Sequence, residues 1–397
     1  MNIIDSGNTA AAIGVKLARA QVIAAYPITP QTPLTEKLSK FVESGELDAQ
    51  YIPVESEHSA LAVCIGASST GARAFTATSS NGLLYMHEQV HWAAGARLPI
   101  VMCVVNRAVG APWSIWNDHQ DSMSQRDTGW IQIHAADHQQ IIDTVIQAFR
   151  IAETVKIPVM VCYDGYLLSH THTPFEIPEQ QQVDKFLSSC SPSPLLEPSN
   201  PMNLNTVTMP HARPDTDGNR MPSYFEIRKN LQEDMIRAAE DIEASGKEFE
   251  KIFGRKGVSL FEPYLCNDAD YIAVSVGSLS RRLMVVADML REAGIAIGVL
   301  EIRAFRPFPS ERLAGILANA KGIAVFEKAI SYGHEGPLAS EIKAALQKLG
   351  SSPAVSGFIL GLGGKTIKTE QLHNVLKDFC VKPPCRDFPP KWIGSEM

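Results

Sequence analysis

The chain has 397 residues, room for two domains of ordinary size. Hydrophobic residues make up 45% and charged residues 20%, the balance of a globular protein rather than a disordered one. A net charge of −7, with no basic patch interleaved with aromatics, argues against a nucleic-acid partner.

No apolar run approaches the roughly 18 to 20 residues that a bilayer span needs. The opening MNIIDSGNTAAA has no basic segment followed by an apolar one, so no secretory signal is visible. A cytoplasmic protein without membrane contact is expected. The cysteines at 64, 103, 162, 190, 266, 380 and 385 are odd in number and scattered, which argues against a disulfide framework. Cys64, Cys103 and Cys162 lie in apolar runs and read as core. No C-x-x-C run is present to hold an iron–sulfur cluster.

In chain order, Asn8-Thr9 predicts the cap of an Ala-rich helix running through Ala20. Strands are predicted at Val22–Tyr26, Gln50–Val54, Ala74–Thr78, Ile100–Val105 and Val159–Tyr163. Helices are predicted between them, including Ser59–Ser69, Leu83–Ala94 and His138–Val155. Short apolar strands alternating with helices imply a doubly wound parallel sheet over residues 1–175. Residues 176–262 read as a linker, polar and proline-rich at first, then helical from Tyr224 to about Phe253. The α/β rhythm returns in a second, smaller domain over 263–380. Its expected strands are Ile272–Val276, Ile297–Ile302, Gly322–Phe326 and Ala354–Ile359. Its expected helices are Leu283–Ala293, Glu311–Asn319 and Leu338–Leu349. The proline-rich tail, 381–397, is expected to wrap along a neighbour.

The first strand runs into Tyr26-Pro27-Ile28-Thr29-Pro30-Gln31-Thr32-Pro33. Each X-Pro pair pushes the preceding residue to extended geometry and removes a backbone donor. Thr29 is therefore held in a rigid loop at a strand's C-terminal end, where α/β sheets bind ligands. Further blocks follow: Val54-Glu55-Ser56-Glu57-His58-Ser59-Ala60, Phe75-Thr76-Ala77-Thr78-Ser79-Ser80, Asn106-Arg107, Ile115-Trp116-Asn117-Asp118-His119-Gln120-Asp121, Arg126-Asp127-Thr128-Gly129-Trp130-Ile131, Phe305-Arg306-Pro307-Phe308-Pro309 and Gly361-Leu362-Gly363-Gly364. In this order they resemble the 2-oxoacid:ferredoxin oxidoreductases, thiamine-diphosphate enzymes typified by pyruvate:ferredoxin oxidoreductase. The resemblance covers residues 1 to about 175 and about 260 to 370.

The resemblance implies a pyrimidine-type doubly wound domain followed by a transketolase C-terminal-like α/β domain. It implies an α subunit in an enzyme that converts pyruvate and coenzyme A to acetyl-CoA and CO2 while reducing ferredoxin. Thiamine chemistry needs a carboxylate on the aminopyrimidine ring and a metal on the diphosphate, the cofactor being the electron sink. The family's carboxylate maps onto Glu57, at the mouth of a predicted helix where the dipole favours an acid. Glu55 is the competing candidate, read as a solvated or cap-pairing acid. Tyr26, Pro27, Ile28 and Thr29 would hold the cofactor's ring region, and Thr29 would also offer its hydroxyl to the 2-oxoacid. Arg107 maps onto the substrate-carboxylate clamp, a task suited to the two-pronged guanidinium.

No G-D-G and no Asn-Asn pair occurs, only Tyr163-Asp164-Gly165. The resemblance therefore implies a β subunit carrying the Mg2+ and diphosphate half-site. It also implies γ and ferredoxin-like δ subunits, or their fusion, carrying the [4Fe-4S] clusters. The intact loop around Thr29 favours pyruvate; a branched-chain or aryl 2-oxoacid is the alternative. Asn117, Asp118 and His119 would line either the site mouth or an interface. A non-catalytic structural subunit is disfavoured by Thr29, Glu57 and Arg107 occurring together.

His87-Glu88-Gln89-Val90-His91 spells the zinc-peptidase signature H-E-x-x-H. It has no third ligand at family spacing, and Met86, Val90 and Ala94 would share a core face. Zinc remains the remote alternative, and no metal site is expected on this chain.

Overall fold

Strands that are apolar on both faces need helices above and below them. The first half of the chain obeys that rule in the computed structural model, which describes residues 1–190, 210–214, 220–347, 353–382 and 389–394. Six strands run parallel, in the spatial order Ile131–Ala135, Val159–Asp164, Val101–Asn106, Ala74–Thr78, Val22–Ala25 and Gln50–Pro53. The central three, Val159–Asp164, Val101–Asn106 and Ala74–Thr78, are buried along their whole length. Phe75, Phe149 and Trp130 fill the core between this sheet and its helices.

The first helix is Gly7–Leu17, and its cap is Ser6 rather than Asn8-Thr9. Ser6 keeps extended geometry, and its hydroxyl accepts from the Thr9 amide at 3.2 Å. The expected helix over 83–94 is two, Ser80–Tyr85 and His87–Gly95, separated at the fully buried Met86. Helix His138–Val155 runs as expected, capped by Asp137.

The segment after 174 holds more structure than its composition suggested. His172–Glu176 pairs antiparallel with Asn2–Ser6, and Gln180–Leu187 is a helix. Tyr224–Phe253 is one long helix, opened by a Ser223–Glu226 capping box and closed by Gly254 in the left-handed region. It packs along His138–Val155.

The second sheet has the order Phe261–Tyr264, Ile297–Ile302, Tyr271–Val276, Gly322–Glu327, Ala354–Ile359 and Lys391–Trp392, parallel except for the first. One face packs through Leu300, Phe305 and Leu338, the other through Phe326, Phe358 and Leu372. Two features stitch the halves and the tail together. Ala304–Arg306, in the second half, adds antiparallel to Ile131–Ala135 and completes the first sheet. The tail was expected on a neighbour, but Lys391 and Trp392 pair with Phe358 and Ile359 of this chain, where the sheet edge has free backbone groups. Residues 383–388 and 395–397, with Cys385, lie outside the described residues.

Gly246 lets the long helix lie directly on the Gly257–Val258 backbone, and a Cβ there would run into the Val258 carbonyl. Gly246→Ala should cost about 1–3 kcal/mol of stability, as overpacking does. Denaturant unfolding measures it, and an unchanged midpoint would mean the helix can shift freely.

Candidate active site

The C-terminal ends of the central strands open onto one region, as α/β sheets require of a ligand site. The loop after Val22–Ala25 is pinned from below. Asn8 Nδ2 donates to Pro30 O at 2.9 Å, and Tyr163 Oη donates to Asn8 Oδ1 at 2.9 Å. Gln31 accepts from Ile28 N at 3.3 Å and donates to Ala77 O at 2.9 Å. Tyr26, Pro27 and Thr29 stay exposed and Ile28 half-buried on this fixed base.

Arg107 follows the strand Val101–Asn106 and is only 6% exposed. Its Nη1 donates to Thr29 O at 2.8 Å and its Nε to Ser114 O at 2.9 Å. Thr29 and Arg107 are thus brought into direct contact. No carboxylate pairs with the guanidinium among the described residues, and its Nη2 has no partner. Burial lowers its pKa, opposed by the charges of Asp121 and Tyr166. A buried cation without a counter-ion is costly unless an anion joins it.

Glu57 is the first residue of helix Glu57–Ser69 and is 8% exposed. Among the described residues no hydrogen bond or ion pair reaches its carboxylate. Gly82 faces it so closely that a Cβ would lie 2.5 Å from Glu57 Oε1 and 2.7 Å from Thr78 Oγ1. The buried hydroxyls of Thr78 and Ser79 are also without partners. Glu55, by contrast, is exposed, and its carboxylate is held low by the Ser59 hydroxyl. Glu57 makes no direct contact with Thr29 or Arg107. The two parts are joined by Asp121, whose Oδ2 accepts from Ser80 N and from Arg107 N, each at 2.9 Å.

Two family models match the chain. The first, described as pyruvate flavodoxin/ferredoxin oxidoreductase, thiamine diphosphate-binding, spans residues 13–238. The second, pyruvate:ferredoxin oxidoreductase core domain II, spans residues 269–372. The pyruvate synthase subunit PorA of Methanocaldococcus jannaschii is 45% identical over 396 residues, 98% of this chain and 97% of that protein. The ketoisovalerate oxidoreductase subunit VorA of Pyrococcus abyssi is 45% identical over 376 residues, 94% of this chain and 92% of that protein. The chain belongs to the 2-oxoacid:ferredoxin oxidoreductase family.

Solved structures bear out the expected fold class. A 2-oxoglutarate:ferredoxin oxidoreductase from Magnetococcus marinus matches with a TM-score of 0.69 at 18% identity, over 95% of this chain and 65% of that one. A split-gene transketolase matches with a TM-score of 0.56 at 14% identity, over 96% of this chain and 99% of that one.

For a member of this family, the region behind the strand ends holds residues that sequence reasoning missed. Asp164, noted in the sequence only as a failed G-D-G, is fully buried at the end of Val159–Asp164. Its Oδ1 meets His119 Nε2 at 2.6 Å and Asn117 Nδ2 at 3.1 Å. Its Oδ2 accepts from Lys328 Nζ and Ser278 N, each at 3.1 Å, and from the Ser278 hydroxyl. Burial alone would raise its pKa, but Lys328 and His119 outweigh that and hold it well below the usual carboxylate range. Lys328 and Ser278 come from the second domain, so no local motif could have announced the cluster. His119 is spoken for by Asp164 and is not a free base. The oxidoreductase's second domain also reaches the Asn117–His119 loop by backbone. Gly364 N donates to Asn117 O at 2.6 Å, Gly363 N to Asp118 Oδ2 at 3.1 Å, and His119 N to Lys328 O at 2.9 Å.

The zinc-like signature lies on helix His87–Gly95. His87 Nδ1 is engaged by Gln125 Oε1 at 2.7 Å, and its ring meets that of His91 edge-on at 4.8 Å. Among the described residues no group of three His, Cys, Asp or Glu side chains could hold a metal. Nor is any described helix long and apolar enough to cross a membrane.

Asp164→Asn should cost about 3–5 kcal/mol at neutral pH, because Lys328 is left buried beside a neutral partner. The folded pKa of Asp164 is depressed, so its stabilisation is present above the unfolded value of 3.8 and fades as pH falls below it. The stability gap between wild type and variant should therefore shrink below that pH. A gap that stays constant in acid unfolding would contradict the ion pair.

Proposed function

We propose that this chain is the α subunit of a pyruvate:ferredoxin oxidoreductase and supplies the pyrimidine half of a shared thiamine diphosphate site. The observation that carries the reading is a pair of buried groups around the Thr29 loop, the Glu57 carboxylate with no hydrogen-bond partner among the described residues and the Arg107 guanidinium held only by two carbonyls. The residues suit that cofactor's ring end. A carboxylate with no hydrogen-bond partner among the described residues lies where Gly82 leaves space, near the orphaned hydroxyl of Thr78.

When bound, thiamine diphosphate supplies the electron sink for decarboxylation. Glu57 would hold the ring nitrogen of the aminopyrimidine and could exchange a proton there, the role a positioned carboxylate performs in general acid–base catalysis. Tyr26, Pro27, Ile28 and Thr29 line the ring on a loop that Asn8 and Gln31 keep rigid. The open Nη2 edge of Arg107 and the Thr29 hydroxyl take the substrate carboxylate until CO2 leaves. Coenzyme A would take up the acyl group left after CO2 departs, and ferredoxin the two electrons.

The Mg2+ and diphosphate half-site belongs to a β subunit, since this sequence has no G-D-G and no Asn-Asn pair. The [4Fe-4S] clusters belong to γ and ferredoxin-like δ subunits or their fusion, since it has no C-x-x-C run. The domains we assign are residues 1–175 for the pyrimidine-type unit and 263–380 for the transketolase C-terminal-like unit, with 176–262 between them and 381–397 as tail. A cytoplasmic setting accords with this assembly. A second reading, a branched-chain 2-oxoacid, draws support from the VorA relative being as similar as the PorA relative at 45% identity.

The test is anaerobic co-purification with partner subunits and a 2-oxoacid panel. Coenzyme A-dependent ferredoxin reduction should run fastest on pyruvate, and a faster branched-chain acid would overturn only the substrate. No reduction with any 2-oxoacid would overturn the function. In the active complex, Glu57→Gln should lower kcat by about 10²- to 10⁴-fold, the usual worth of one acid–base group.

A further inference from the structure

Among the described residues Arg107 has no acidic partner, so its aim depends on what holds its peptide and its side chain. The side chain rests on Thr29 O and Ser114 O. Ser114 opens a loop that is tied back at Trp116 O, which accepts from Ala108 N at 2.9 Å. What places that loop is mostly the second domain, through Gly363, Gly364 and the backbone of Lys328. Gln120 adds a reciprocal pair with Ile330, donating to its carbonyl at 2.8 Å and accepting from its amide at 3.0 Å.

One side chain spans both sides of this arrangement. Asn117 is 2% exposed. Its Oδ1 accepts from Lys328 Nζ at 2.9 Å, and its Nδ2 donates to Asp164 Oδ1 at 3.1 Å and to Asn106 O at 3.3 Å. The amide's orientation is dictated by its neighbours. An ammonium can only donate, and a carboxylate and a carbonyl can only accept. Asn106 O belongs to the same peptide unit as Arg107 N, which Asp121 Oδ2 holds from the other end.

We propose that Asn117 is a positioning residue. Its amide transmits the placement of the second α/β domain, through Lys328, to the peptide that aims Arg107 at the substrate carboxylate. The inference rests on the reading of Arg107 as the carboxylate clamp. It gives the second domain a part in substrate binding although, among the described residues, none of its side chains bonds to the guanidinium.

The experiment uses the assembled complex with its partner subunits and the best 2-oxoacid of the panel. Asn117→Ala should raise KM for that acid, by up to about a hundredfold if the clamp moves by an ångström. kcat should change less, and thiamine diphosphate affinity should be unchanged. In an Arg107→Ala background the same substitution should add nothing to KM. Ser278→Ala, which removes another second-domain bond to Asp164 but leaves the 106–107 peptide alone, should not raise KM. If Asn117→Ala fails to assemble, Asn117→Ser takes its place with the same expectations. An unchanged KM, an effect that multiplies with Arg107→Ala, or an equal rise in Ser278→Ala would overturn the relay. An unaltered complex that turns over no 2-oxoacid would instead overturn the proposed function itself.

Discussion

Asp164 ends a central strand with no exposure to solvent, so its charge has to be met by the protein. It is met from two directions, by His119 and Asn117 of its own domain and by Lys328 and Ser278 of the other. A buried ion pair adds little net stability over an apolar contact, because desolvation offsets attraction. Its effect is on specificity. Any arrangement of the two halves that separates Lys328 from Asp164 leaves two bare charges in a dry interior. The docking of the domains is thereby restricted to one geometry, and the loops at the strand ends inherit it.

Against that background the unpaired groups stand out. Two other buried carboxylates have cations on them: Arg73 clasps Glu153 at 2.5 Å, and Arg255 clasps Asp143 at 2.7 Å. Glu57 and Arg107 are buried too, and among the described residues neither has an ion-pair partner. Packing could have closed over both, yet Gly82 withholds even a methyl group beside Glu57. Ionisable groups left in this state collect at functional sites, because a ligand completes them. The same logic explains why Glu55, satisfied by Ser59, is the weaker candidate.

The sequence was informative where structure is local. Helices His138–Val155 and Tyr224–Phe253 and strands Ala74–Thr78, Ile297–Ile302 and Ala354–Ile359 follow from periodicity and caps within a few turns. It was uninformative where partners lie far apart. The ribbon of Asn2–Ser6 with His172–Glu176 and the edge strand Ala304–Arg306 on Ile131–Ala135 have no local signature, since each strand is short and half-polar alone. The candidate site divides in the same way. Thr29, Glu57 and Arg107 sit at strand ends and helix starts that motifs mark. Asp121, Asp164 and Lys328 matter through contacts that only the fold creates. Asn117 was visible as part of a block, but its two-sided role was not.

Asp121 and Asp164 make the electrostatic point most sharply. Both are fully buried, and both accept several hydrogen bonds. Burial pushes Asp121 up to about 6, with the donors of Asn106, Arg107 and Ser80 pulling only partly against it. Asp164 goes the other way because a full positive charge, Lys328, is in contact with it. The linkage signs are therefore opposite. The folded protein holds a proton on Asp121 that the unfolded chain has released, so that contribution is present below 3.8 and lost as pH rises through about 6. The contribution of Asp164 is lost as pH falls. Neutral donors only limit the rise that burial imposes on Asp121, whereas a counter-charge in contact carries Asp164 below the usual range, and that counter-charge comes from the second domain. Asp121, which joins the Glu57 side of the site to Arg107, has no ion pair in contact among the described residues, and its protonation is coupled to the two amides it holds.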